Sequence, residues 1–423
     1  THDLLVSGSA RGRYNQCVDC YQCVDCLSAA KERMVVVLVC GGGNAAHVVA
    51  GLAASRPDTE ARVLTLYADE AERWTGLLNT GSYVITSKQD GKVYTAKPTK
   101  VSKNAADVAP GSDIIFFAVP AFAHDQYMHA IKDHLKPGVT IIGLPGMPGF
   151  EFAAHGIIGE KLKDCTLISF DTLPWACRIT TFGRAVDILG IKIVVNGAIY
   201  GRDDGSQMAM LQNVIGERPV MKVQGHLLGL SLSNYDVHQG IMYGRWKNWD
   251  GKPLDEPPLF YQGVDEFTAD IIDKLNREGV DLARKIEKLR PGVDLSIVKP
   301  TYDWYIEAYS DEITDKTSLM TCMRTNKAYD GLKHPVKQTK DGKYLPDFHY
   351  RYLAEDIPFA LCVVRGVAEV VGLPTPNIDM VLTWAQEKLG KEYLVNGKMA
   401  GKDIKETRAP QKYGLNTLDE ILG

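Results

Sequence analysis

The chain has 423 residues, 45% of them hydrophobic and 24% charged, with 39 glycines and 20 prolines; these are ordinary values for a globular protein of two or three domains. Its formal charge of −4, from 48 basic and 52 acidic residues, supplies no electrostatic footprint for nucleic acid, and no apolar run approaches the length of about 18 residues needed to span a bilayer. A function on small molecules is what remains.

Four of the nine cysteines crowd into one short stretch, at Cys17, Cys20, Cys23 and Cys26. Their even C-x2-C-x2-C-x2-C spacing lacks the wider last gap and the proline of a ferredoxin-type run, and it lacks the long loop that lets two pairs converge on zinc. Asp19, Asp25 and Glu32 interrupt both the apolar core of a secretory signal and the acid-free pattern of a transit peptide. The expectation is a disordered extension over residues 1–33 with no metal, in a protein of the reducing cytoplasm.

Residues 34–40, MVVVLVC, form a continuous apolar run, the mark of a strand buried on both faces of a parallel sheet. It leads directly into Gly41-Gly42-Gly43-Asn44-Ala45-Ala46-His47 and a helix-compatible stretch from Val48 to Ser55. This is G-x-G-x-x-A in strand–turn–helix context. Gly41 permits the tight turn, Gly43 lets the backbone approach a pyrophosphate, and Ala46 is small enough for close packing of helix on strand. A second strand is expected at 61–67. Just beyond it, Asp69 either bonds the adenosine ribose of NAD or caps the helix that follows, and Arg73 leaves NADP open. Buried strands at 113–119 and 139–144 end in turns, which puts Pro120, Ala121 and Met147 beside the nicotinamide. Strands near 165–170 and 186–195 are expected to extend the sheet.

Past about residue 225 the apolar positions fall three and four apart, at 229–243, 263–289, 306–314, 357–371 and 380–389, which predicts an all-α second domain. Loops rich in tryptophan, proline and charge, such as GRWKNWDGKP at 244–253, are suited to lining a cleft. The division is thus 34–225 for a dinucleotide-binding Rossmann domain and 226–423 for a helical substrate domain.

Over about residues 34 to 420 the chain resembles the opine dehydrogenase family, most closely the octopine dehydrogenases and their invertebrate relatives. The resemblance rests on VCGGGNAAH at 39–47, LYADEAERW at 66–74, VPAFAH at 119–124, DTLPWACRI at 171–179, WDGKP at 249–253, RYLAEDIP at 351–358 and GLNTLD at 414–419. It implies NADH-dependent condensation of a 2-oxo acid, usually pyruvate, with an amino acid, by a monomer that regenerates NAD in anaerobic glycolysis. It also implies His238 as the acid/base group, Asp356 as its carboxylate partner and Arg351 as the clamp on the oxo acid. A histidine titrates near neutrality, a carboxylate on its other nitrogen sets the tautomer, and an arginine fork matches a carboxylate. Without the resemblance, nothing singles out His238 among ten histidines.

The same resemblance places Thr172, Cys177 and Trp304 on the substrate pockets, where Cys177 and Trp304 read equally well as packing residues. Met147, Asp171 and Leu232 depart from the octopine dehydrogenase pattern, in which glutamine, glutamate and methionine are expected. The amino donor is therefore arginine or a smaller one such as glycine, alanine, β-alanine or taurine. The alternative is a two-domain carbonyl reductase of the glycerol-3-phosphate or ketopantoate type, and after it a non-catalytic dinucleotide-binding redox sensor.

Overall fold

The first apolar run forms β1 (Val35–Cys40), covered on both faces: Val37 and Val39 enter one apolar core, Leu38 and Cys40 another. Two-sided burial is the reason that this run is continuous rather than alternating. The computed structural model describes residues 34–201, 204–233 and 235–423. The cysteine cluster and the expected extension over 1–33 lie outside the described residues.

After β2 (Thr59–Leu64) come β3 (Val84–Ser87), β4 (Val93–Thr95), β5 (Lys100–Ser102), β6 (Ile114–Phe117), β7 (Thr140–Gly143) and β8 (Thr166–Phe170). Then follow β9 (Trp175–Thr181), β10 (Ala185–Ile191), β11 (Val194–Gly201), β12 (Val220–Val223), β13 (Val336–Gln338) and β14 (Tyr344–Pro346). The main sheet has eight strands in the order β12-β11-β8-β7-β6-β1-β2-β5. The six from β5 to β8 are parallel, and β11 runs antiparallel to β8. Winding proceeds from β1 through β2 and β5 on one side and through β6, β7 and β8 on the other. That reversal opens a crevice outside the carboxyl ends of β1 and β6, the place where doubly wound sheets hold ligands.

Residues 186–195 are not one further strand of this sheet. They divide between β10, which joins a second sheet in the order β4-β3-β10-β9, and β11, which joins the main one. Both segments are apolar and only Lys192 and Ile193 separate them, so periodicity alone does not reveal the change of sheet.

Helices dominate beyond β12. The Glu266–Leu289 helix starts where Asp265 accepts a hydrogen bond from the Thr268 amide at 2.8 Å, and it buries Ile271, Ile272, Leu275, Leu282, Ala283 and Ile286 as one stripe. The helix expected over 229–243 is interrupted: one helix spans Leu227–Ser231 and the next Val237–Trp246. The helix expected at 306–314 runs instead over Thr301–Tyr309, started by Pro300 and by the bond from the Thr301 amide to Asn276 Oδ1 at 3.1 Å. The 357–371 helix opens with a π turn over Ile357–Leu361 before Cys362–Val371. The last long helix starts earlier than expected, at Pro376, because the Glu278 carboxylate accepts from the Asn377 and Ile378 amides at its N-terminus. One β13–β14 ribbon interrupts the helical half. The architecture is a Rossmann-type sheet followed by a helical body, and Val35–Gly423 forms one compact unit.

Arg408, fully buried, ties these parts together. Its Nη2 donates to the Ala121 carbonyl at 2.7 Å, in the loop after β6, and its Nη1 to the Gly146 carbonyl at 2.8 Å, in the loop after β7.

Candidate active site

The turn after β1 is built for close approach. Gly41 has φ +123°, and a Cβ there would lie 2.7 Å from Val119 Cγ1 and 2.8 Å from the Ala118 carbonyl, on the loop after β6. Gly43 is exposed, with nothing within 4 Å of the position of a Cβ. The helix that follows, Asn44–Ala54, carries no side-chain cap on its first amides. An open glycine in front of uncapped amides at a helix N-terminus fits a pyrophosphate. Helix starts at Asn44 rather than Val48, so Asn44, Ala45 and Ala46 form its first turn. Asn44 Oδ1 accepts from the Ile179 amide at 2.8 Å, and Ala46 is fully buried. His47 anchors the turn from behind. Its Nδ1 donates to the Gly43 carbonyl at 3.1 Å, its Nε2 accepts from the Gly183 amide at 2.9 Å, and burial holds it neutral by pulling its pKa down to about 4. Gly41→Ala should raise the NADH Kd by about 10-fold or more, measured by fluorescence titration, because the added Cβ must displace backbone in a strained conformation.

Of the acids after β2, Asp69 is exposed, pairs with Arg73 at 3.4 Å and makes no capping bond to the helix behind it. Glu70 is the carboxylate that faces the turn. Its Oε2 accepts from Thr65 Oγ1 at 2.6 Å and lies where a Cβ on Gly42 would sit. Asp69, the candidate for the adenosine ribose, thus stays at the surface, one residue before the carboxylate that faces the turn. Pro120 is exposed on the loop opposite, and Ala121 is buried with its carbonyl held by Arg408.

In the helical half, His238 lies in the first turn of Val237–Trp246. Its Nδ1 is 2.6 Å from Asp356 Oδ2 and its Nε2 is 2.8 Å from the Tyr261 hydroxyl, while its ring stacks on Tyr352 with centroids 4.1 Å apart. The carboxylate can only accept, which puts the proton on Nδ1. Burial pushes the Tyr261 phenol well up, so it stays protonated and donates to Nε2. Tyr261 is itself stacked on Tyr329 at 3.9 Å. Neither tyrosine was signalled by the sequence, since aromatic residues at these spacings read as core. Arg351, 62% exposed, adjoins Tyr352 and pairs with Glu355 at 3.1 Å.

A cavity of about 340 Å³ lies between the carboxyl ends of β7 and β8 and the helical half. Met147, Asp171, Leu232 and Trp304 all line it. So do Asn196, Asp236, Asn276, Lys299, Thr301 and Glu307. The interrupted helix matters here, since it presents Leu232 and Asp236 to the cavity from either side of the interruption. Thr172 stands outside the wall, its hydroxyl accepting from Lys192 Nζ at 2.5 Å. Cys177 is also elsewhere. The alternation of β9 turns it inward, 4% exposed, into the core of the second sheet opposite Ile188, and burial raises its thiol to about 11. His238 and Asp356 pair with each other away from the cavity wall, and Arg351, paired with Glu355, does not line it either. Among the described residues no group of three or more His, Cys, Asp or Glu is placed to hold a metal, and no helix is long and apolar enough to cross a membrane.

A dinucleotide turn at the switch point of the sheet, joined to a helical body that carries a hydrogen-bonded histidine, defines the class of two-domain nicotinamide-dependent dehydrogenases. Residues 223–389 match the model of the α-helical domain of NAD/NADP octopine/nopaline dehydrogenases. A tauropine dehydrogenase of Arabella iricolor is 50% identical over 397 residues, covering 92% of this chain and all of that protein. An octopine dehydrogenase of Pecten maximus is 46% identical, over 92% of this chain and 98% of its own. A solved octopine dehydrogenase with NADH and L-arginine superposes with a TM-score of 0.88 at 45% identity, over 92% of this chain and 98% of that one. The chain belongs to the opine dehydrogenase family, as its motifs led us to expect. It is an NAD-dependent oxidoreductase acting on CH–NH bonds.

Proposed function

We propose that the enzyme condenses pyruvate with an amino acid and reduces the resulting imine to an opine, regenerating NAD. The observation that carries this reading is His238 held between Asp356 and Tyr261. Neutral at Nε2, it can take a proton from the attacking amine, and the imidazolium so formed is stabilised by Asp356. It can then return that proton to the carbinolamine oxygen as water leaves. Asp356 fixes the ring and its tautomer. Tyr261 holds Nε2 until substrate replaces it. Arg351 meets the carboxylate of the oxo acid, with Glu355 keeping its guanidinium in place. NADH, when bound against Gly41, Gly43, Asn44 and Ala46, supplies the hydride that reduces the imine carbon.

We take the amino donor to be arginine or a smaller amino acid such as taurine, alanine, glycine or β-alanine. Met147 and Leu232 present no strong hydrogen-bond partner on the cavity wall, which favours the smaller donors. We take residues 34–225 and 226–423 as the two functional domains, working as a monomer in a reducing cytoplasm. The five described cysteines are free thiols, in keeping with that compartment.

The test is NADH oxidation with pyruvate and each of those amino acids in turn. Turnover above the pyruvate-only rate supports the reading, and its absence with every donor refutes it. Arg351→Lys is expected to raise the KM for pyruvate by about 10-fold or more, with the KM for NADH unmoved, because an ammonium cannot reproduce the bidentate fork. An unchanged pyruvate KM in steady-state kinetics would remove Arg351 from that role.

A further inference from the structure

Three carboxylates reach the cavity wall: Asp171, Asp236 and Glu307. Glu307 is paired with Lys299 at 2.6 Å, and Asp171 has Lys192 beside it. Asp236 has no cationic side chain in ion-pair contact among the described residues, although it is 1% exposed. A buried carboxylate is costly unless a cation or several donors meet it.

Its position makes the lack of a partner more pointed. Asp236 stands at the N-cap of the Val237–Trp246 helix, where an aspartate normally accepts from the first free amides, yet its side chain makes no capping bond. The carboxylate turns to the cavity instead, where Oδ2 accepts from Thr301 Oγ1. Thr301 is in turn fixed by the bond from its amide to Asn276 Oδ1. The fold therefore forgoes a local stabilising bond and holds a buried anion against the space where substrate must lie. Two residues further on is His238.

We propose that Asp236 is the residue that receives the ammonium group of the amino donor, and so decides that the second substrate is an amine. This rests on the reading of the enzyme as an opine dehydrogenase. The ammonium supplies the cation that the buried carboxylate lacks. Thr301 aims Oδ2 and leaves Oδ1 for the ligand. An ammonium held there adjoins the segment that carries His238, the group that handles the proton of the attacking amine. Binding at Asp236 and proton transfer at His238 are separate tasks performed by one short stretch of chain.

Asp236→Asn tests this. Asparagine keeps the shape and still accepts from Thr301, so fold and helix start are preserved, and melting temperature checks that. With pyruvate and NADH, and whichever of glycine, alanine, β-alanine, taurine or arginine the wild type uses fastest, the KM for the amino acid should rise by about 10- to 100-fold. This is the range for loss of a charge-assisted hydrogen bond. The KM for pyruvate and the Kd for NADH should stay within about 2-fold. Thr301→Val removes the bond to Asp236 but keeps the charge, and its amino-acid KM should rise far less than that of Asp236→Asn. The proposal is overturned if Asp236→Asn leaves the amino-acid KM unchanged, raises all three constants together, or is matched by Thr301→Val, as a purely structural bond between the two residues would require. Wild-type turnover distinguishes the two ideas. An active wild type with an unaffected Asp236→Asn sinks the assignment of Asp236 alone, whereas an inactive wild type sinks the functional reading beneath it.

Discussion

His238→Ala should lower kcat by about 1,000-fold, or about 4 kcal/mol of transition-state stabilisation, while the Kd for NADH changes by less than about 2-fold. Positioned proton transfer contributes a factor of about 100 to 10,000, and the imidazole is the group that Asp356 and Tyr261 are arranged around. Tyr261 lies on Nε2, but burial holds its phenol protonated, so it cannot serve as the base. NADH binding should survive, because the turn at Gly41–Gly43 is anchored by His47 and not by the helix that carries His238. Asp356→Asn should also depress kcat, since an amide in place of the carboxylate permits the wrong tautomer and leaves the imidazolium without its counter-charge. Single-turnover measurements with saturating NADH isolate the chemical step. A His238→Ala enzyme that retains more than about a tenth of wild-type kcat would show that proton transfer is handled elsewhere.

Arg408→Met should cost about 3–5 kcal/mol of stability, the range for removing one side of a buried charged network. The guanidinium donates to the Ala121 and Gly146 carbonyls, and it reaches Pro148 at 3.4 Å. Methionine fills part of the volume but leaves those carbonyls without a donor in a dry interior. It also takes the positive charge away from Glu151, a buried carboxyl already pushed up to about 7 by desolvation. Denaturation in urea, compared with wild type at the same pH, measures the loss. Activity should fall as well, since the loops after β6 and β7 lie at the carboxyl ends of parallel strands, where doubly wound sheets hold ligands, and both depend on this side chain for their carbonyl partners. A loss below about 1 kcal/mol would mean that water or a shifted loop replaces Arg408 without difficulty.

His238 and Arg408 differ in how strongly the sequence marks them. Motifs shared with a family mark His238. Its helix was expected as well, but not the interruption just before it that turns Asp236 toward the cavity. Nothing in the sequence marks Arg408, because an arginine in GKDIKETRAP, at 401–410, looks like any surface charge. Cys177 went the other way. The motif that contains it leaves pocket and packing equally open, and strand alternation in β9 places it in a core.

What the sequence determined by itself is local in origin. An apolar run, three glycines and a helix lie within about twenty residues of one another, so the dinucleotide turn and the strand before it are specified by near neighbours. The stripe of the Glu266–Leu289 helix and the reach of the parallel strands are legible for the same reason. The tertiary structure decided everything that depends on partners far along the chain. Asp356 meets His238 across 118 residues, Thr301 meets Asp236 across 65, and Arg408 meets Ala121 across 287. Whether a carboxylate is a cap, a surface charge or a buried anion facing a substrate is set by which distant groups surround it. Residue type and spacing carry no record of those neighbours.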